Sequence, residues 1–169
     1  MQIVKEKFRP VVYLAGPIGG LTWEEAHGWR ERAPKLIAPC KTLSPMRDMD
    51  GQSLRSSCFT KDGREQAIEI DQIPFHKLFQ RDYMDVHTCD AMLINMIGAK
   101  TKSTGTICEI AWAYRRGTPM FMAMEPEGNP NDNPFITPQV PRRYPTLADA
   151  INGLREFYGY EIYEAGSAD

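Results

Sequence analysis

The sequence predicts a single-domain α/β protein in which helices cover both faces of a parallel β-sheet. Two observations carry that reading. Three short runs, Val11-Val12-Tyr13-Leu14-Ala15-Gly16, Ala91-Met92-Leu93-Ile94-Asn95-Met96 and Pro119-Met120-Phe121-Met122-Ala123-Met124, are apolar at nearly every position instead of every second one. That is the pattern of strands buried on both sides. Each run is followed by a stretch of helical periodicity, and strand–helix alternation closes most simply as a flavodoxin-like or Rossmann-like sheet. A length of 169 residues suits one core.

In chain order, the first strand ends at Gly16 and the chain turns through Pro17-Ile18-Gly19-Gly20. Thr22 with Glu25 three residues on forms a capping-box pattern at the start of a helix over residues 23–37. Its single face carries Trp23, Ala26, Trp29, Arg30, Ala33, Leu36 and Ile37, and Pro34 is expected to stop or kink it. Lys41-Thr42-Leu43-Ser44 reads as a weak second strand closed by Pro45. Residues 46–74 are polar and irregular, with Asp62-Gly63 suited to a hairpin between 57–60 and 66–68. This stretch is too short to bury its own core and reads as an insertion near the site. A helix over 74–88 is expected to bury Phe75, Leu78, Phe79 and Val86. After the central strand, a polar loop over 98–105 leads to a helix over 107–116 that Gly117 ends. A Pro-, Asn- and Gly-rich loop over 125–141 and a last helix over 147–158 follow the third apolar run.

The formal charge of −2 and pI of about 5.9 carry no basic footprint for nucleic acid or an anionic membrane. The four cysteines and three histidines lack zinc-ligand spacing, so no metal site is expected. The first residues lack the apolar core of a signal peptide, and no run of about 18 apolar residues occurs. A cytoplasmic protein with reduced cysteines is the expectation.

Ligands in such folds bind beyond the carboxyl ends of the strands. Segments 16–20, 46–74, 98–105 and 125–135 all lie there. Ser103-Thr104-Gly105-Thr106-Ile107-Cys108-Glu109 is the most suggestive, because glycine admits close approach and a helix start offers free N–H groups. Two readings of Glu109 stay open on spacing: a reactive carboxylate, or the ordinary third residue of a Thr106–Glu109 capping box. Asp82 beside Arg81 and Asp85 fits a solvated helix face, and Asp90 before a strand fits a turn. Gly16 to Gly20 matches neither the P-loop nor the dinucleotide pattern. Asn131-Asp132-Asn133-Pro134 reads as a turn cluster.

Taken together, Val12-Tyr13-Leu14-Ala15-Gly16-Pro17-Ile18, Arg81-Asp82 with Asp90, Gly105-Thr106-x-x-Glu109-Ile110, Ala113 and Gly117-Thr118-Pro119 resemble the nucleoside 2-deoxyribosyltransferase family. That family includes the 2-deoxynucleoside 5′-monophosphate N-glycosidases. The resemblance implies that Glu109 is the nucleophile at the anomeric carbon and that Asp82 handles the base proton or a sugar hydroxyl. It implies a pocket lined by Tyr13, Gly16, Ile18, Gly19 and Gly105, with Asn133 matching an asparagine that completes a neighbouring subunit's site. Transferases of free nucleosides often carry an aspartate six residues before the nucleophile. Ser103 stands there, as in the monophosphate glycosidases, where a hydroxyl donates to the 5′-phosphate that a carboxylate would repel. The implied activity is transfer of a deoxyribosyl group between bases, with hydrolysis of a 5′-monophosphate or non-catalytic nucleotide sensing as alternatives. Neither metal nor organic cofactor is implied. The implied partners are a nucleoside or nucleotide, a free base, and further copies of the chain in an assembly of dimer to hexamer size.

Overall fold

A computed structural model describes residues 8–49 and 75–163. The proposed 57–60/66–68 hairpin lies outside the described residues. Five strands, β1 (Val11–Ala15), β2 (Lys41–Leu43), β3 (Ala91–Asn95), β4 (Met120–Ala123) and β5 (Arg143–Tyr144), form one sheet in the order β2-β1-β3-β4-β5. Every pairing is parallel. Four helices accompany them: α1 (Trp23–Leu36), α2 (Phe75–Thr88), α3 (Thr104–Arg116) and α4 (Leu147–Phe157).

Side chains of one strand alternate between the two faces, and both faces are covered. Tyr13, Ala15, Met92, Ile94, Met120 and Met122 pack with Val86 of α2 and with Ile110 and Ala113 of α3. Val12, Leu14, Leu93 and Phe121 pack with Trp29 and Ala33 of α1 and with Ala150, Ile151 and Leu154 of α4. The odd-numbered positions of β1 therefore face α2 and α3. This places Tyr13 on the side from which α2 and α3 present Asp82 and Glu109.

The strand order reverses between β1 and β3, and the crevice beyond their carboxyl ends is the usual ligand position of a doubly wound sheet. Asp90 pins the opposite end. Its carboxylate accepts from the Val11 N–H at 2.8 Å and its N–H donates to the Val11 carbonyl at 2.7 Å. This matches the turn role expected of Asp90.

Several local expectations change. Pro34 does not stop α1, which runs through it to Leu36, and the Ile37 N–H still donates to the Ala33 carbonyl at 2.9 Å. Proline in a last turn forfeits a single intrahelical bond there, which the burial of Trp29, Ala33 and Ile37 offsets. Phe79 is not core: it is 52% exposed and meets Trp112 edge-on at 5.5 Å. Helix α3 begins at Thr104, three residues before the expected start, and β5 is an element with no counterpart in the sequence reading. Among the described residues no helix is long and apolar enough to cross a membrane, and Cys40, Cys89 and Cys108 are free.

Candidate functional site

The start of α3 decides the role of Glu109. With Ser103 as N-cap and Thr104 as first residue, Glu109 lies a full turn beyond the capping position. The Thr106–Glu109 capping box does not form. Instead the Glu109 carboxylate turns toward the sheet, where Oε1 accepts from the Tyr13 hydroxyl at 2.7 Å. Tyr13 is fully buried and Glu109 is 9% exposed. Among the described residues no donor reaches Oε2. Burial raises the Glu109 carboxyl to about 7, the Tyr13 hydrogen bond opposes that rise, Asp82 adds to it and Arg30 opposes it. The Tyr13 hydroxyl is held well above its ordinary range by burial and by the neighbouring Glu109 charge.

Asp82 sits on α2, facing the same space. It is not on a solvated face: its side chain is 15% exposed and bonded to Arg81 Nε at 3.2 Å. Arg81 in turn donates to the carbonyls of Pro45 and of Arg47, while Arg47 pairs with Asp85. This lattice ties α2 to the turn after β2. Burial raises the Asp82 carboxyl to about 6 against the opposing pull of Arg81. Two carboxyls thus titrate near neutrality from one side of the sheet, an arrangement typical of acid–base sites.

Gly16 ends β1 at the crevice. A Cβ there would lie 2.5 Å from the Asn95 carbonyl oxygen, so only glycine lets the two strand ends approach. Its carbonyl accepts from Arg30 Nη2 at 2.8 Å, and the Leu14 carbonyl accepts from Arg30 Nε at 3.3 Å. Ile18 is half-buried and Gly19 exposed in the turn that follows.

Ser103 is half-buried, with its Oγ 2.9 Å from Thr106 Oγ1. Its N–H donates to Asn131 Oδ1 at 2.7 Å. Asn131 Nδ2 donates to the Thr101 carbonyl, and Asn129 Nδ2 to the Met96 carbonyl and Glu125. These two buried asparagines fix the loop before α3 and so the helix start. At Gly105 a Cβ would meet no atom within 4 Å, so protein packing does not require glycine there.

The sequence reading placed Glu109, Asp82, Tyr13 and Gly16 in one site; the chain brings Glu109, Tyr13 and Asp82 together, and Gly16 ends the same strand as Tyr13, bonded to Arg30. Ser103, the N-cap of α3, stands six residues before Glu109, nearly two turns away. Asn133 makes a local bond: its Oδ1 accepts from the Phe135 N–H at 2.8 Å and caps its own turn. Arg30, Asn129 and Asn131 escaped sequence reasoning as site residues. For Arg30 the signal was available, since a charged residue on an otherwise apolar helix stripe needs a buried partner. For the asparagines, turn composition hid a tertiary role.

The fold and site define a doubly wound α/β protein with a buried, tyrosine-bound carboxylate at the switch point of its sheet. The chain belongs to the nucleoside 2-deoxyribosyltransferase family, whose model matches residues 12–136. No curated protein matches it. Among solved structures it is similar to a conserved protein from Enterococcus faecalis V583, with TM-score 0.62 and 14% identity, over 89% of this chain and 99% of that one. At that identity the likeness shows the fold alone.

Proposed function

We propose that the chain cleaves the N-glycosidic bond of a 2-deoxynucleoside and transfers the deoxyribosyl group to a second base, with Glu109 as nucleophile. The observation that carries this reading is the buried Glu109 carboxylate, bonded to Tyr13 through one oxygen and unbonded to any described donor at the other. Oε2 attacks C1′ as the bond from C1′ to the base nitrogen breaks, through an oxocarbenium-like state, and a glycosyl ester forms. Asp82, with its carboxyl raised to about 6, is the acid that delivers a proton to the departing base. A second base, activated by the same carboxylate, then attacks C1′ and restores Glu109 with net retention. Ile18, Gly19 and Gly105 line the space for sugar and base, with Tyr13 and Gly16 buried behind it. No step calls for a metal or organic cofactor.

A second reading rests on Ser103. Its hydroxyl stands at the N-cap of α3, where it bonds the Thr106 hydroxyl and makes no capping bond to the helix backbone, so both hydroxyls are placed at a helix start that suits a 5′-phosphate. Water in place of the second base then makes the enzyme a 5′-monophosphate N-glycosidase. Incubating a deoxynucleoside, or its 5′-monophosphate, with and without a second free base separates the two. Product bearing the new base means transfer; free sugar or sugar phosphate means hydrolysis. Bound but unchanged ligand, with no sugar adduct by mass spectrometry, would leave only a sensing module.

Self-association belongs to the same proposal. Phe79, Met84, Tyr114 and Phe135 are all more than half exposed, and Phe135 follows closely on Asn133. Exposed apolar side chains of this kind favour contact with a second copy, and such a contact at Phe135 would bring Asn133 toward a neighbouring site. Light scattering that reports a monomer at assay concentration overturns this part.

A further inference from the structure

Arg30 is 3% exposed, yet among the described residues no carboxylate lies within ion-pairing distance of it. Its acceptors are neutral: the carbonyls of Leu14, Gly16 and Ala26, and the Met46 sulfur at 3.6 Å. The guanidinium carbon also stands 4.6 Å from the centre of the Trp29 ring. A buried charge without a contacting counter-charge is costly, and neutral donors would satisfy the same carbonyls. What a cation adds is potential, and the groups it acts on are Glu109, Tyr13 and Asp82. Although α1 lies on the opposite face from α3, Arg30 reaches the carboxyl edge of β1, where its field meets the site from below.

We propose that Arg30 is a positioning residue that fixes the Gly16 turn and supplies the positive potential keeping the Glu109 carboxylate charged for attack. This rests on the reading of Glu109 as nucleophile only for its catalytic consequence. The electrostatic link between the two residues can be measured whether or not Glu109 is the nucleophile. The groups that act on the Glu109 charge are Tyr13 from β1 and Asp82 from α2 on its own side of the sheet, and Arg30 from α1 through the end of β1. Behind Asp82 stand Arg81, Asp85 and Arg47. Of the three that act on Glu109, Arg30 alone is positive. Burial lowers its pKa to about 10, which leaves it charged at neutral pH.

The test compares Arg30→Gln, which keeps an amide donor without charge, with Arg30→Lys, which keeps the charge. The Glu109 carboxyl is followed by carbon NMR across pH, assigned through its loss in Glu109→Gln. In Arg30→Gln the Glu109 midpoint should rise, and the acid limb of kcat/KM should move to higher pH with it. In Arg30→Lys the midpoint should move less. A folded Arg30→Gln with an unmoved midpoint overturns the proposal. If that variant does not fold, the wild-type chain decides. The Arg30 Nε–H resonance should titrate at the Glu109 midpoint and lose that step in Glu109→Gln; a resonance flat through that midpoint overturns the proposal equally. A Glu109→Gln enzyme that keeps its activity refutes the nucleophile and leaves this coupling measurable, so the two failures are distinguishable.

Discussion

Replacing Tyr13 by Phe removes one oxygen atom and tests the site most directly. The hydroxyl donates to Glu109 Oε1 over 2.7 Å between groups that are both buried. A hydrogen bond to a charged acceptor contributes about 1.5–3 kcal/mol, and one pKa unit corresponds to about 1.4 kcal/mol. Losing a bond that favours the ionised form should therefore raise the Glu109 carboxyl by about 1–2 units above its value of about 7. The ionised fraction at pH 7 then falls roughly 5- to 50-fold, while at about pH 9.5 it returns close to that of wild type. The assay is kcat/KM for glycosidic cleavage from about pH 5 to about pH 10. The acid limb should move to higher pH with the alkaline plateau largely kept. Stability should follow the same sign. A carboxyl raised further above its unfolded value of 4.5 destabilises progressively as pH climbs, so the extra loss in Tyr13→Phe appears between about pH 7 and about pH 9 and is small below it. A loss of activity equal at every pH, with the limb unmoved, would refute the reasoning.

Glu109→Gln should lower activity by orders of magnitude while gaining stability relative to wild type as pH rises from 4.5 to about 7, by up to about 3 kcal/mol in urea titrations. The wild-type group is raised on folding, so the stability it carries is complete below 4.5 and lost as pH rises through about 7. A flat difference across that window would contradict the burial argument. Asp82→Asn removes a like charge, so the Glu109 limb should move to lower pH while kcat falls by about 10²–10⁴-fold for bases that leave poorly. A limb moving upward would contradict the assignment of Asp82 to the same space. Ser103→Asp should damage turnover of a 5′-monophosphate far more than that of a free deoxynucleoside, and equal losses would remove Ser103 from phosphate recognition.

The sheet was legible because β1, β3 and β4 are buried on both faces and so carry apolar runs that admit few other readings. Strand β5 was not, because Arg143–Tyr144 is two residues long between Pro141 and Pro145 and has no period to read. It exists because β4 offers an open edge, where the Met122 N–H donates to the Arg142 carbonyl and the Met124 N–H to the Tyr144 carbonyl. Phe79 misled for a related reason. Its spacing on α2 matches a core stripe, yet the stripe it joins faces Trp112 at the surface. Periodicity reports that two apolar groups share a face, not whether anything covers that face.

The site shows where local pattern yields to tertiary bonding. Thr106-x-x-Glu109 satisfies the capping template, and that template is a common outcome when the helix start is free to choose. Here it is not free. Asn131 takes the Ser103 N–H at 2.7 Å, and the Ser103 carbonyl accepts from the Ile107 N–H at 3.0 Å, so the helix begins earlier. Advancing the start carries Glu109 out of the capping turn and onto the face that meets β1. A carboxylate in a cap is solvated and bonded to its own backbone; one turn further along, it is buried and must find a donor elsewhere. Tyr13 is that donor, and its place on the α2–α3 side of β1 follows from strand alternation alone. The asparagine loop after β4 thus acts on the chemistry without touching it, by choosing which turn of α3 holds the carboxylate.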